Sequence, residues 1–333
     1  MKKILAIIDS YEWSYHNILK GILNYGQRHL TNAGAELAIA SFKTERSKIE
    51  NEWSTFETIF PVGWQLITQT KRRFGIGPSY YSRVFRRIPD EAVKVGIHSH
   101  RAWDRDRTLP TSLVSPPKHL VRHLSRFRSV NAVSRRLYRL FSEQGLRNLV
   151  LTEPGVDHEL FRPRLELGRD KNRPLRVGFS GNSLSTRQDQ LKGYSEFFVK
   201  LKGLDWIELK SAVRTREHYV PFSEMPAFYN EIDVYLCTSN SEGFSQSVLE
   251  AASTGRPVIS TPVGGCEDLI TEGVTGFLVE RSLPKIVEKL KQLHDDRGRL
   301  EAMGQAMRST ITEKFSWEKR AGDWVEFLVG AGA

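Results

Sequence analysis

Cysteine is nearly absent. The 333 residues contain two, Cys237 and Cys266, too few for a disulfide framework and without metal-ligand spacing, which suits a reducing compartment. Long apolar runs are missing too: none approaches the roughly 18–20 residues a membrane span needs. The N-terminal apolar stretch, Ile4 to Ile8, is closed by Asp9 and Glu12 with no small-residue cleavage site, so it reads as a first strand and not a signal peptide. A cytoplasmic chain is expected. There is no repeat at a solenoid period and no low-complexity tract, which excludes repeat architectures. Acidic residues are scarce in one region: residues 71–139 hold 17 Lys and Arg against 4 Asp and Glu.

What is present suits two domains of about 150 residues each. Hydrophobic residues make up 39% and charged residues 26%, the balance of a globular protein with a real core. The net charge of +10 is unevenly placed. Residues 1–165 carry 27 basic and 15 acidic side chains, whereas 166–333 carry 22 and 24. The basic clusters are Lys71-Arg72-Arg73, Arg83/Arg86/Arg87, Arg122/Arg126/Arg128 and Arg135/Arg136/Arg139. So one-sided a field implies an anionic partner for the first half: acidic lipid, an anionic glycan or nucleic acid. A merely solvated basic surface is the plain alternative.

Apolar strand, turn and helix-period segment alternate along the chain. In the first half, strands are expected at Lys3–Asp9, Glu36–Phe42, near Gln65–Thr68, Val93–His98, Ser129–Val133 and Asn148–Leu151. Helices are expected from about Tyr15 to Leu30, near Ser79–Arg87 and over Ser134–Glu143. After the turn Pro154-Gly155-Val156-Asp157, five β-branched runs follow: Leu175–Ser180, Ile207–Val213, Val234–Thr238, Val258–Ser260 and Gly276–Val279. Helical patterns separate them at about 191–202, 223–231, 245–254 and 266–272, and the chain ends in helices near 283–296, 297–313 and 316–329. Such alternation argues for parallel sheets with helices on both faces.

The segment Val234–Val279 carries the chemistry. A buried strand ends at Thr238, a polar loop runs Ser239-Asn240-Ser241-Glu242-Gly243, and a helix opens near Ser245. In an open α/β sheet the crevice beyond a strand's carboxyl end is where ligands bind. The helix start offers unpaired N–H groups and partial positive charge to a phosphate, and Gly243 allows a close backbone approach. Glu250 lies five residues past Ser245, roughly 7–8 Å along the helix at about 1.5 Å per residue. That is the span from a diphosphate to its ribose, whose vicinal hydroxyls a carboxylate can accept. Glu242, before the helix, would face the sugar end.

Glu242 and Glu250 have seven residues between them, and the segment resembles the E-x7-E motif of the retaining family-4 glycosyltransferases. The likeness extends through S-x-x-E-G-F, L-E-A, G-x-P-V-I, G-G and T-G-F-L-V. The resemblance implies the GT-B architecture: two Rossmann-like doubly wound domains facing across a cleft. Residues 1–160 would form the basic acceptor-side domain, 161–315 the donor domain, and 316–333 a helix crossing back to the first. It implies that Glu250 binds the donor ribose, Glu242 sits against the transferred sugar, and backbone amides around Phe244–Ser245 hold the diphosphate; Ser245 stands where the family usually has glycine. The run Val177 to Asn182 with Lys192-Gly193 resembles the first strand and loop of the donor domain, with Gly181 in that loop and Lys192 neutralising the diphosphate. Asn182 replaces the usual arginine, and Arg187, in the intervening loop, is a possible substitute. The loop about Tyr219–Pro221, with Val220 at its centre, would lie near the base. Pro154–Asp157 with Phe161-Arg162-Pro163 resembles the interdomain hinge, and Phe315-Ser316-Trp317-Glu318 the start of the final helix. The first 129 residues match poorly. Their first loop lacks the family's paired glycines. Family members carry a histidine near the reacting sugar; His98 and His100 both stand at the strand end, and His98 is favoured over a plain capping role.

The resemblance further implies retention of configuration through an oxocarbenium-like transition state, with helix-end amides and Lys192 stabilising the departing diphosphate. No metal is expected, because cationic side chains can take its role, and no cofactor beyond the nucleotide sugar, of UDP type. The first functional expectation is hexose transfer to an envelope polysaccharide or glycolipid acceptor, with the basic domain on anionic lipid at the inner membrane face. One alternative is glycosylation of a hydroxylated base in DNA or RNA, where Tyr80, Tyr81, Phe85, Trp103 and Phe127 interleave with the basic residues. Another is a donor-binding protein without turnover.

Overall fold

The computed structural model describes residues 1–11, 14–64, 66, 85, 87–98, 114–164, 172–183, 185–214 and 220–330. They fall into two compact units: the described residues up to Gly155 together with those from Trp317 to Gly330, and the described residues of Val156–Ser316.

In the first unit, β1 (Lys2–Ile8) lies parallel between β2 (Ala35–Ser41) and β3 (Thr58–Pro61). A second parallel set orders β4 (Lys94–Ile97), β5 (Ser129–Ala132) and β6 (Leu149–Leu151). A bridge between Ile59 and Val93 and a bond from Trp64 N–H to the Gly96 carbonyl (2.9 Å) join the sets, giving the order β2-β1-β3-β4-β5-β6. The last five residues of β1 are all buried, as a central strand covered on both faces requires. Around the sheet run α1 (Ser14–Asn32), α2 (Arg46–Glu52), α3 (Lys118–Leu124) and α4 (Arg135–Glu143). The last is capped by the Ser134 side chain, which accepts from Leu137 N–H. The terminal helix Trp317–Val329 packs on α1, β1 and β3. Its carboxyl end is held by the buried Lys94, whose Nζ donates to the carbonyls of Phe327 and Gly330, groups a helix end otherwise leaves without a donor. Burial pushes the Lys94 ammonium down to about 8.

The second unit has five parallel strands: β7 (Leu175–Asn182), β8 (Ile207–Arg214), β9 (Val234–Cys237), β10 (Val258–Ser260) and β11 (Gly276–Leu278), in the order β11-β10-β9-β7-β8. Strand alternation divides its core in two. Val234, Leu236 and Ile259 face the cluster built on α9 (Leu283–Asp295). Tyr235, Cys237 and Val258 face the one built on α6 (Met225–Glu231), α7 (Gln246–Ser253) and α8 (Cys266–Leu269). Two further helices are α5 (Thr186–Lys192) and α10 (Arg297–Thr310).

Several elements differ from the sequence expectation, which did not contain the helices α2 and α3. The strand that pairs with β1 is Thr58–Pro61; the expected strand near Gln65–Thr68 and the basic helix Ser79–Arg87 fall almost wholly outside the described residues. Helix α5, Thr186–Lys192, was not expected: it ends at Gly193, ahead of the helical turns Tyr194–Phe198 and Val199–Gly203 that occupy the expected 191–202 segment, and it starts where Ser185 caps it, accepting from Gln188 N–H, with Asp189 in its first turn. Arg187 is therefore a first-turn helical residue and not part of a loop.

Candidate functional site

Where β7 and β9 lie side by side, the connections leave in opposite directions, and this is the crevice of the second sheet. The chain after β9 closes on the end of α5. Thr238 Oγ1 donates to the Lys192 carbonyl (2.7 Å), and Asn240 N–H to the Leu191 carbonyl (2.7 Å). Arg281 completes the set. Its Nη2 donates to the Gln190 carbonyl (2.7 Å) and pairs with Glu196 (3.0 Å), its Nε donates to the Thr238 carbonyl (3.0 Å), and its guanidinium stacks on Phe197. Three end carbonyls of α5 are thereby satisfied from outside the helix. Gly193 turns the chain at φ +72, and a Cβ there would come within 2.7 Å of Thr238 Oγ1.

This clamp fixes Lys192, whose Nζ meets Glu242 Oε1 at 2.5 Å; Ser239 Oγ donates to the same oxygen at 2.6 Å. The loop beyond is pressed by Gly264-Gly265. Gly265 N–H donates to the Gly243 carbonyl (2.9 Å), a Cβ on Gly264 would meet that oxygen at 2.2 Å, and one on Gly265 would meet the Phe244 ring at 2.1 Å. Phe244 packs in turn against Phe315. Ser245 is the N-cap of α7 but makes no side-chain cap, and no acidic residue occupies the helix's first turn. The helix start therefore keeps its field and its amides for another acceptor. Ser241 Oγ and Gln246 Nε2, in the same loop, are buried without a hydrogen-bond partner. Buried polar atoms normally have a partner, so these two are available to accept or donate at the helix start. The sequence reading singled out neither side chain, nor Arg281.

Glu250 sits in the middle of α7, buried, and Tyr229 OH donates to its Oε2 at 2.9 Å. Burial pushes its carboxyl up to about 7, against the opposing pull of the Tyr229 bond. Asn182 ends β7 opposite Arg214 of β8. Residues in register across parallel strands present their side chains on the same face, so a cation stands beside Asn182 on the next strand. Arg187 is exposed on the first turn of α5; five residues, at about 100° each, turn it well away from Lys192 on the same helix. Gly181, next to Asn182, is in ordinary contact with the Lys192 stem (3.7 Å). Val220 is half-buried and follows residues 215–219, which lie outside the described set.

In the first unit, His98 follows β4 and is buried, stacked on Trp324 and edge-on to Tyr15, with its Nε2 lacking a hydrogen-bond partner. Burial pushes its pKa down to about 3, so the imidazole is neutral. His100, Trp103, Tyr80 and Tyr81 lie outside the described residues. So does Asp104-Arg105-Asp106, the one Asp-x-Asp in the sequence. Of the basic residues, Arg122 and Arg139 are exposed on α3 and α4, Arg126 pairs with Asp90 (2.7 Å), and Arg135 lies 3.9 Å from the buried Glu153. Among the described residues no helix is long and apolar enough to cross a membrane.

Residues 195–296 match the family model described as Glycosyl transferases group 1. CapM of Staphylococcus aureus, a capsular polysaccharide biosynthesis glycosyltransferase, is 34% identical over 111 residues, which are 32% of this chain and 29% of CapM. A D-inositol 3-phosphate glycosyltransferase of Paenarthrobacter aurescens is 29% identical over 215 residues, 54% of this chain and 51% of the relative. The chain thus spans about half, or less, of the length of these curated relatives. Among solved structures, Anabaena HepE in complex with UDP and glucose aligns with a TM-score of 0.67 at 14% identity, over 99% of this chain and 100% of HepE. The chain has the fold of the GT-B glycosyltransferases, two Rossmann-like α/β units, and residues 195–296 of its second unit match the group 1 model.

Proposed function

We propose that this protein is a retaining, metal-independent glycosyltransferase that moves a hexose from a nucleoside-diphosphate sugar, of UDP type, to an acceptor hydroxyl in envelope polysaccharide or glycolipid synthesis. The observation that carries the reading is the start of α7. An uncapped helix end, two buried polar atoms without partners, a lysine and two carboxylates are gathered at the crevice of one sheet. The diphosphate takes the amides from Phe244 to Gln246, the ribose diol takes Glu250, and Lys192 exchanges Glu242 for a phosphate oxygen. As the anomeric C–O bond breaks, charge builds on the diphosphate, where the helix end and Lys192 stabilise it without reorganisation. Glu242, released from Lys192, then faces the transferred sugar. Arg214 supports the phosphates from beside Asn182, which stands where the family usually has arginine, and takes the part for which Arg187 was a possible substitute. The role the resemblance implies for His98 requires its buried imidazole to be uncovered when donor binds.

The names of CapM and of the inositol phosphate enzyme support a glycan or glycolipid acceptor over a nucleic acid. The exposed arginines of α3 and α4 supply the field that would hold the first unit on anionic lipid at the inner membrane face. The test is donor hydrolysis across a panel of nucleotide sugars, in wild type and Glu242→Ala. Slow release of one nucleotide, abolished by the substitution, is the expected result; no binding and no hydrolysis of any donor would remove the reading.

A further inference from the structure

Glu250 is an acid buried with no cation paired to it among the described residues, and a carboxylate so placed tends to take up a proton. A protonated Glu250 would be a poorer acceptor for two ribose hydroxyls. What stands against protonation is a chain of three hydroxyls. Tyr229 OH donates to Glu250 Oε2 at 2.9 Å. Ser180 Oγ lies 3.2 Å from Tyr229 OH and 2.9 Å from Tyr235 OH. Because a carboxylate only accepts, the Tyr229 proton is committed to Glu250. In its bond to Tyr229, Ser180 is then the donor. Tyr235 OH stands against both oxygens of Ser180, the hydroxyl and the carbonyl (3.3 Å). The Tyr229 and Ser180 protons thus point toward Glu250, an arrangement in which one bond polarises the next.

The phenol is also held in place. Tyr229 is fully buried, its ring edge-on to Phe161, Phe228 and Tyr235. Its carbonyl accepts from Arg256 Nε (2.9 Å), while Arg256 Nη2 donates to the next carbonyl, that of Asn230 (3.2 Å). The titratable groups around Glu250 are Tyr229 on α6 and, behind Ser180 of β7, Tyr235 of β9. The chain thus links both strands of the crevice and two helices to one carboxylate oxygen. The other oxygen, Oε1, accepts no hydrogen bond from a described residue.

We propose that Tyr229 is a positioning residue for Glu250: its phenol occupies Oε2, keeps the group a carboxylate, and leaves Oε1 as the acceptor for the nucleotide ribose. The proposal rests on the reading of Glu250 as the ribose ligand. It also gives Ser180 and Tyr235 a part in nucleotide binding that their buried positions alone do not suggest.

Tyr229→Phe removes one oxygen and keeps the ring. Binding of UDP and of 2′,3′-dideoxyuridine diphosphate is measured by calorimetry for both proteins, and the Glu250 carboxyl is titrated by carbon-13 NMR, with Glu250→Gln for assignment. Expected is a loss of UDP affinity of about tenfold, the scale of a hydrogen bond to a charged group. Affinity for the dideoxy analogue should not change, and the Glu250 titration should move to higher pH. Ser180→Ala should do the same more weakly, and serves if Tyr229→Phe does not fold. Equal losses for both nucleotides would mean a merely structural tyrosine and overturn the proposal. If wild type binds neither nucleotide, the donor reading falls by itself, and the titration decides: an unmoved Glu250 overturns the role of Tyr229.

Discussion

The two units share a strand order and differ in what they do with it. Each sheet reads second-first-third from its own first strand, β2-β1-β3 in one and β8-β7-β9 in the other, so each has a crevice between its first and third strands. In the first unit the polar groups that follow β1 and β2 bond to one another, while His98 Nε2, beyond β4, is buried without a partner. Asp9 Oδ1 accepts from Ser10 N–H, the Asp9 carbonyl from Ser41 Oγ (3.2 Å), and Glu45 Oε2 from Ser41 N–H (2.8 Å) and Tyr11 OH. In the second, a helix start is left uncapped and Ser241 and Gln246 keep buried polar atoms without partners. Topology supplies a crevice in both; what separates them among the described residues is the uncapped start of α7 with the Lys192–Glu242 pair beside it, against the closed set of bonds among Asp9, Ser41 and Glu45.

The largest effect expected from this contrast is on turnover. Lys192→Ala should lower kcat by about 10²–10³, the cost of removing one preorganised charge from a developing oxyanion. Glu45→Gln, in the loop facing the other crevice, should change the stability of the first unit and leave kcat within about twofold, as for substitutions remote from a site. Comparable losses of kcat in the two variants, by steady-state assay on the donor found in the panel, would erase the contrast.

The units should also answer pH with opposite signs. His98 titrates near 3 in the folded state and about 6.5 unfolded, so between those values the unfolded chain binds the extra proton and the first unit loses stability as pH falls. By pH 5 the loss is about 2 kcal/mol at about 1.4 kcal/mol per unit. Glu250 titrates near 7 folded and about 4.3 unfolded; here the folded state binds the extra proton, and the second unit loses stability as pH rises through that window. Six of the seven tryptophans lie outside 156–316, so tryptophan fluorescence follows the first unit and far-UV circular dichroism follows both. His98→Met should flatten the acid limb. Glu250→Gln should stabilise the donor-free second unit at pH 8 by about 2 kcal/mol, somewhat less than the full shift implies, while weakening nucleotide binding. A single transition with one pH dependence in all three proteins would break the contrast.

How much of this was legible in the sequence follows from where each signal is stored. The parallel strands of the second unit are short apolar runs between turn residues, and Val258–Ser260 was read with its observed bounds. The E-x7-E segment is contiguous, so spacing alone placed Glu242 at a loop end and Glu250 on a helix. The strand Thr58–Pro61 was missed because four residues ending in proline carry little periodicity; only pairing along β1 makes them a strand. The start of α5 was set by one cap, Ser185, in a stretch without apolar rhythm. Lys94, not singled out in the sequence, is buried under the last turn of the terminal helix. Cys237 and Cys266, spaced for no motif, meet in the core, where a hydrogen bond from Cys266 favours the thiolate of Cys237.

Arg281 is the residue least visible in sequence, because its carbonyl partners, at Thr238 and Gln190, stand 43 and 91 positions away. It also offers the finest test of the contrast, since the first crevice has no described counterpart to the clamp that holds Lys192 against Glu242. Arg281→Ala leaves the Gln190 carbonyl without its donor and loosens that clamp without touching a reacting group. The expected result is a roughly tenfold fall in kcat, with a destabilisation of about 1–2 kcal/mol, as for hydrogen bonds to a charged donor. Arg281→Lys keeps the charge but not the fork that reaches two carbonyls and Glu196 at once. It should therefore recover part of the stability and little of the kcat. Full recovery by lysine would show that charge near the end of α5 suffices; recovery of neither would show that Arg281 serves the core, leaving Thr238 and Asn240 to position Lys192 by themselves.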